Sequence, residues 1–173
     1  MGADTNKKYR VALCPGSYDP VTFGHLNIIE RCAALFDKVI VVVLINPEKS
    51  YSFSSEERVE MLKTVTAGYG NVEVAEYGGL VAEYASQRGA CALVKGLRAV
   101  TDFEYEFQMA LINKKLNPEL ETVFINTDIR FMYLSSSAVR EIARFGGDLS
   151  DFVPKELEQR ILKRLKSKEE AEK

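Results

Sequence analysis

Short apolar runs alternate along the chain with segments whose apolar residues recur every three to four positions. Residues 9–14 read as a strand, and "HLNIIERCAALF" at 25–36 as an amphipathic helix. "KVIVVVLI" at 38–45 is nearly continuous and β-branched, as expected of a strand covered on both faces. "SSEERVEMLKTVTAG" carries its own boundaries: Ser54 caps, Glu57 completes a capping box, and Gly68 ends the helix. The same reading places strands at 72–77, 91–96 and 121–126, and helices at 80–89, 101–116, 135–145 and 154–167. The charged tail "KSKEEAEK" is expected to fray.

Five strands alternating with helices predict an α/β fold: a Rossmann-like, doubly wound, five-stranded parallel sheet with C-terminal helices. With no internal repeat and no low-complexity linker, residues 1–173 are expected to form one domain. Such sheets bind ligands beyond the carboxyl ends of their strands, at the switch point of the topology.

Composition narrows the partners. The chain is 46% hydrophobic and 28% charged with a net charge of −2, so it lacks the basic excess of a nucleic-acid binder. An anionic substrate must then be held by a few placed cations. Cys14, Cys32 and Cys91 lie among apolar neighbours without CxxC spacing, and read as core residues in a reducing compartment. With only one histidine in the chain, a structural zinc site is not expected. "MGADTNKK" has no apolar signal core, and Asn6 breaks the myristoylation pattern after Gly2. No run approaches the ~18 apolar residues of a membrane span, so the expected location is the cytoplasm.

The candidate chemistry gathers just after the strands. "GSYDPVTFGH" at 16–25 combines Gly16 for close backbone approach, Ser17 with a hydroxyl and an N–H, and a stiffening Pro20. Gly24 opens the helix near a ligand, and His25 stands at its positive end. No GxxxxGK[ST], GxGxxG or GxSxG motif is present. Taken singly, such a histidine is ordinarily a cap, a lone lysine idle and a serine triplet a cap. Here Lys49 follows the second strand, Lys95, Gly96, Arg98 and Glu106 the fourth, and Ser135, Ser136 and Ser137 the fifth. Cations, hydroxyls and helix N-termini at one sheet edge suit a polyphosphate. In the helix at 101–116, Phe103, Phe107, Ala110 and Leu111 form a stripe read as core. Tyr105, Met109 and Ile112 lie off that stripe and are candidates for a subunit contact.

"TFGH" (22–25) and "LSSS" (134–137) are similar to the two signature boxes of the nucleotidylyltransferase superfamily. "PGSYDPVTFGH", "FSSEER", "KGLRAVTDFEYEFQMALINKKLNPELETVF" and "LSSSAVREIA", in that order, resemble the bacterial phosphopantetheine adenylyltransferases over roughly residues 9–162. "GLRAVTDFEYE" is the most specific of these words. The resemblance implies transfer of the adenylyl group of ATP to 4′-phosphopantetheine, giving dephospho-coenzyme A and pyrophosphate, the penultimate step of coenzyme A synthesis. It also implies Mg2+, a homohexamer and feedback by coenzyme A. By position, Ser17 is implied to touch both substrates and His25 to stabilise the transferring phosphate. Lys49 and Lys95 are implied to hold the acceptor, with Val81 lining its arm. Tyr18, Gly96, Leu97, Arg98, Glu106, Phe131, Met132, Tyr133, Leu134, Ser135, Ser136 and Ser137 are implied to join Ser17 and His25 in the ATP site.

Two residues depart from the family pattern. Ser17 replaces a threonine and keeps the hydroxyl; Lys95 replaces an arginine and loses the planar fork. The chemistry agrees with the residues, because the acceptor phosphate is already an anion and needs no protein nucleophile or base. Alignment and charge stabilisation suffice, with Mg2+ held largely by substrate oxygens and water. Two alternatives remain: a nucleotidylyltransferase using nicotinate mononucleotide or glycerol phosphate, and a non-catalytic adenine-nucleotide-binding domain. The first should lack "GLRAVTDFEYE"; the second has no need of both His25 and Lys49.

Overall fold

The computed structural model describes residues 9–171, with side chains through 166. Strands and helices alternate as β1 (Val11–Gly16), α1 (Phe23–Leu35), β2 (Lys38–Leu44), α2 (Ser55–Thr66), β3 (Val72–Tyr77), α3 (Val81–Gln87), β4 (Ala92–Leu97), α4 (Val100–Leu116) and β5 (Glu121–Asn126). A 3-10 turn (Ile129–Phe131) then leads to α5 (Ser136–Arg144) and α6 (Lys155–Ala171). The strands form one parallel sheet in the order β3-β2-β1-β4-β5. The chain winds outward from β1 to β3, then returns to place β4 on the other side of β1. The switch point therefore lies between β1 and β4.

Strand register opens a crevice there. β1 pairs with β2 from Val11↔Lys38 through Gly16↔Val43, but with β4 only at Ala12↔Ala92 and Leu13↔Leu93. Beyond Leu13 the two central strands part, and Pro15, which has no N–H to offer, lies where that ladder stops. Alternate residues face opposite layers, as the pleat requires. Ala12, Cys14, Val39 and Val41 pack with Ile29, Cys32, Met61 and Ile161 on one face. Leu13, Ile40, Val42 and Leu93 pack with Ala82 and Ala85 on the other.

Several boundaries shift by local causes. β1 extends through Pro15 and Gly16 because both stay in register with β2. The α2 capping box forms as expected: Glu57 N donates to Ser54 Oγ at 3.2 Å, and Ser54 N to Glu57 Oε2 at 2.8 Å. That helix ends at Thr66, however, and Gly68 is not left-handed as Gly89 and Gly146 are, so it is no glycine cap. The tail expected to fray is helical through Ala171; residues 172–173, like "MGADTNKK", lie outside the described residues. Cys14 and Cys32 are core residues, and Cys91 is half-buried. The expected core stripe of α4 is a correction: Phe103, Phe107 and Leu111 are 42%, 47% and 58% exposed. Only Asn113 of α4 is buried. Among the described residues, no helix is long and apolar enough to cross a membrane.

Candidate active site

The turn after β1 is built to reverse sharply while keeping its backbone in the crevice. Tyr18 takes the left-handed conformation at φ 52°, and its hydroxyl donates to the Cys14 carbonyl at 2.7 Å. A Cβ on Gly16 would come within 3.0 Å of the Tyr18 ring, so glycine is needed for that ring to fold under the turn. Tyr18 thus borders the cleft with its phenol turned into the core, and what it offers a ligand is backbone.

His25 is fixed by an unusual capping box. Thr22 caps α1, accepting the His25 N–H on Oγ1 at 3.4 Å, while His25 Nδ1 accepts the Thr22 N–H at 3.0 Å. Histidine here takes the place ordinarily filled by Glu or Gln. A backbone N–H only donates, so Nδ1 must be the bare nitrogen and the neutral ring carries its proton on Nε2. Burial, and secondarily the Arg98 charge, lowers the His25 pKa to about 4. At neutral pH the ring is therefore an uncharged N–H donor.

The serines of α5 face the same space. Ser135 caps the helix by accepting the Ala138 N–H at 3.0 Å, and Ser136 Oγ donates to the Pro20 carbonyl at 2.8 Å. Ser137 Oγ accepts from Arg140 Nη2 at 2.9 Å. Ser136 has thus committed its hydroxyl proton to the turn after β1. The N–H groups of Ser136 and Ser137 lie in the first turn, beyond reach of any intrahelical carbonyl.

The cations arrive on three segments. Lys49 is exposed on the loop after β2. Lys95, at the end of β4, has Nζ 3.1 Å from Glu106 Oε2 and hydrogen-bonds Oε1 at 3.4 Å. Glu106 Oε2 is buried without an aligned hydrogen bond. Arg98 forks onto Asp102, with Nε at 3.1 Å and Nη2 at 3.3 Å, and its Nη1 donates to the Leu134 carbonyl at 2.6 Å. Burial opposes ionisation of Asp102, but the Arg98 hydrogen bonds hold its carboxyl below the usual range. A Cβ on Gly96 would meet Ile28 Cγ1 at 2.8 Å, so the glycine lets α1 lie close over the end of β4.

Together these segments enclose a cleft of about 1010 Å³. It brings together Ser17, Tyr18, His25 and Lys49 with Lys95, Gly96, Arg98, Glu106 and Leu134 to Ser137. Five expected residues do not line it. Val81 packs into the core on the far face of the sheet, and Leu97 is tied by its carbonyl to the Thr127 N–H at 2.8 Å. Phe131 stacks on Phe23 at 6.1 Å, and Met132 and Tyr133 are exposed outside the cleft. Sequence reasoning passed over Asp19, Arg58, Asp102 and Arg140. Asp19 lies within "PGSYDPVTFGH" and Arg58 within "FSSEER", and that placement was their only signal in the sequence. Among the described residues, no three His, Cys, Asp or Glu side chains are grouped to hold a metal.

A family model described as cytidylyltransferase-like matches residues 13–142. The phosphopantetheine adenylyltransferase of Caldanaerobacter subterraneus subsp. tengcongensis is 58% identical over 91% of this chain and 98% of its own. The enzyme of the same name from Desulfatibacillum aliphaticivorans is 51% identical over 91% and 90%. That of Clostridium botulinum strain 657 is 50% identical over 93% and 98%. Among solved structures, one from Vibrio parahaemolyticus, provisionally assigned as a nicotinate-nucleotide adenylyltransferase, superposes with a TM-score of 0.70 at 17% identity. It covers 91% of this chain and 94% of that one, and shows the shared fold.

Proposed function

This chain belongs to the phosphopantetheine adenylyltransferases of the cytidylyltransferase-like family, and on that premise we propose how its cleft works. It transfers the adenylyl group of ATP to 4′-phosphopantetheine, forming dephospho-coenzyme A and pyrophosphate. The observation that carries the mechanism is His25, a neutral Nε2–H donor fixed at the start of α1 in a cleft rich in cations. An oxygen of the acceptor phosphate attacks the α-phosphorus while the bond to the β-phosphate oxygen breaks. No proton need move, so the protein supplies alignment and charge. His25 donates to the α-phosphate oxygens as negative charge builds there, without acting as a general acid.

Lys49 and Lys95 hold the acceptor phosphate, and Ser17 touches both substrates. Arg98, Glu106, the α5 N-terminus and the Tyr18 backbone face the nucleotide. Magnesium bound with the nucleotide would neutralise phosphate charge. The cleft carboxylates Asp19, Asp102 and Glu106 are already engaged with N–H groups or cations, which supports an ion held by substrate oxygens and water. Coenzyme A shares the pantetheine arm and adenylyl half of the product, so feedback would act by occupying this cleft. The protein works in the cytoplasm as a homohexamer. The exposed Phe103, Phe107 and Leu111 of α4 support self-association through that face.

Pyrophosphate release separates the readings. Turnover with ATP and 4′-phosphopantetheine is expected, with none for nicotinate mononucleotide or, with CTP, glycerol phosphate. Equal or greater turnover with either rival acceptor would overturn the assignment.

A further inference from the structure

Asp19 and Arg58 are buried charged residues, 4% and 1% exposed, that the mechanism above does not use. Both grip the loop between β2 and α2 that carries Lys49. The two carboxylate oxygens of Asp19 accept the main-chain N–H groups of Ser52, at 2.9 Å, and Phe53, at 3.0 Å. Arg58 works from beneath. Its Nη1 donates to the carbonyls of Ser17 at 2.7 Å and Leu44 at 3.2 Å, its Nε to that of Ser54 at 3.3 Å, and its guanidinium lies 4.0 Å from the Tyr51 ring centre. The β1 turn, the end of β2 and the start of α2 thus meet on one arginine. Burying two charged side chains is costly unless each is fully hydrogen-bonded. Here their partners are main-chain groups at both ends of one loop and in the substrate-facing turn, with the Arg140 guanidinium of α5 also 3.7 Å from Asp19 Oδ2.

We propose that Asp19 and Arg58 are positioning residues for the transfer, latching the Lys49 loop to the Ser17 turn so that Lys49 meets the acceptor phosphate at a set distance from Ser17. Neither touches the reacting atoms; both act through Lys49. Asparagine at position 19 keeps the shape and one acceptor, but turns an NH2 toward one of the two loop N–H groups and breaks that bond. Lysine at position 58 keeps the charge but cannot span three carbonyls and an aromatic face.

The inference rests on the adenylyl-transfer reading, which fails separately if the unaltered chain does not turn over 4′-phosphopantetheine. A double-mutant cycle with Lys49→Ala tests the latch. Asp19→Asn is expected to raise the acceptor KM about tenfold while moving the ATP KM less than about threefold, as loss of one charge-assisted contact would. In the Lys49→Ala chain the same change should add nothing to the acceptor KM. A full tenfold rise in that background, or equal rises in both KM values, would overturn the proposal. Thermal unfolding checks that Asp19→Asn is folded, and Arg58→Lys runs the same cycle if it is not. Failure of both variants to fold would make the pair a folding requirement and overturn the proposal as well.

Discussion

His25 has two roles that single substitutions can pull apart. Its Nδ1 completes the α1 capping box, and its Nε2–H is offered to the cleft. His25→Ala removes both. Loss of Nδ1 leaves the Thr22 N–H without its acceptor, which should cost about 0.5–1.5 kcal/mol of stability. Loss of one preorganised donor should cost roughly 10²–10³ in kcat, about 2.7–4 kcal/mol of transition-state stabilisation, with both KM values little changed. Glu and Gln are the usual residues at this capping position, so they divide the effects. His25→Glu should restore the cap and the melting temperature but leave the enzyme inactive, since a carboxylate has no proton to give and repels phosphate. His25→Gln should restore the cap through its carbonyl and part of kcat through its NH2. Steady-state pyrophosphate release and thermal unfolding, measured on all four chains, give the comparison. The reasoning is refuted if folded His25→Ala keeps kcat within about threefold of the parent, or if His25→Glu is as active as His25→Gln; the histidine would then be a cap alone.

The single histidine makes its titration directly readable by nitrogen-15 NMR on an untagged chain, which should report the Nε2–H tautomer and a pKa of about 4. The unfolded chain, with a pKa near 6.5, binds that proton first, so stability on the order of 3 kcal/mol should be lost from this residue as pH falls from 6.5 toward 4; a measured pKa above 6 refutes this. Gly96→Ala places a methyl 2.8 Å from Ile28 Cγ1 and should cost about 1–3 kcal/mol by thermal unfolding. Adding Ile28→Ala should give a combined loss smaller than the sum of the two, and strict additivity would show that the contact is not the cause.

The parts of this molecule that were legible in the sequence are those whose cause is local. β5 (Glu121–Asn126) and the Ser54–Glu57 box read correctly because a short β-branched and aromatic run between polar ends and a three-residue cap spacing both act within a few residues. The Thr22–His25 box shares that spacing but was hidden, since histidine is not the residue expected at its third position. The α4 stripe was misjudged because helical spacing of Phe103, Phe107 and Leu111 shows that a face is apolar, not what covers it. The Asp19–Ser52 and Arg58–Ser17 links join residues 33 and 41 positions apart through main-chain groups, which leave no mark on residue type. The pairing of β1 with β4, which sets the cleft, likewise depends on topology.

Lys95 stands where the resemblance implies an arginine, and its contact with Glu106 bears on how a lysine serves there. The Arg98–Asp102 pair is over-determined: two side-chain contacts, the Arg98 N–H on Asp102 at 3.1 Å, and a carbonyl from Leu134. Lys95–Glu106 is looser, one ammonium shared by both carboxylate oxygens, 3.1 Å from Oε2 without hydrogen-bond alignment and 3.4 Å from Oε1. A poorly aligned pair gives up little when its lysine turns to a phosphate, so this pair is the one held ready to exchange. A phosphate that takes Lys95 leaves Glu106 in need of a donor, and the nucleotide carries hydroxyl and amino donors. The two substrates should therefore bind better together than apart, by a coupling that is the same from either side. Titration calorimetry with 4′-phosphopantetheine and α,β-methylene ATP, which cannot release pyrophosphate, reads this directly. Lys95→Ala should weaken the acceptor roughly tenfold to a hundredfold, with less effect on the nucleotide alone, and should abolish the coupling. Lys95→Arg should keep most of the acceptor affinity, because the fork still meets a phosphate. Equal weakening toward both ligands, or coupling that survives in Lys95→Ala, would show that Lys95 is only a strand-end charge and that Glu106 does not exchange.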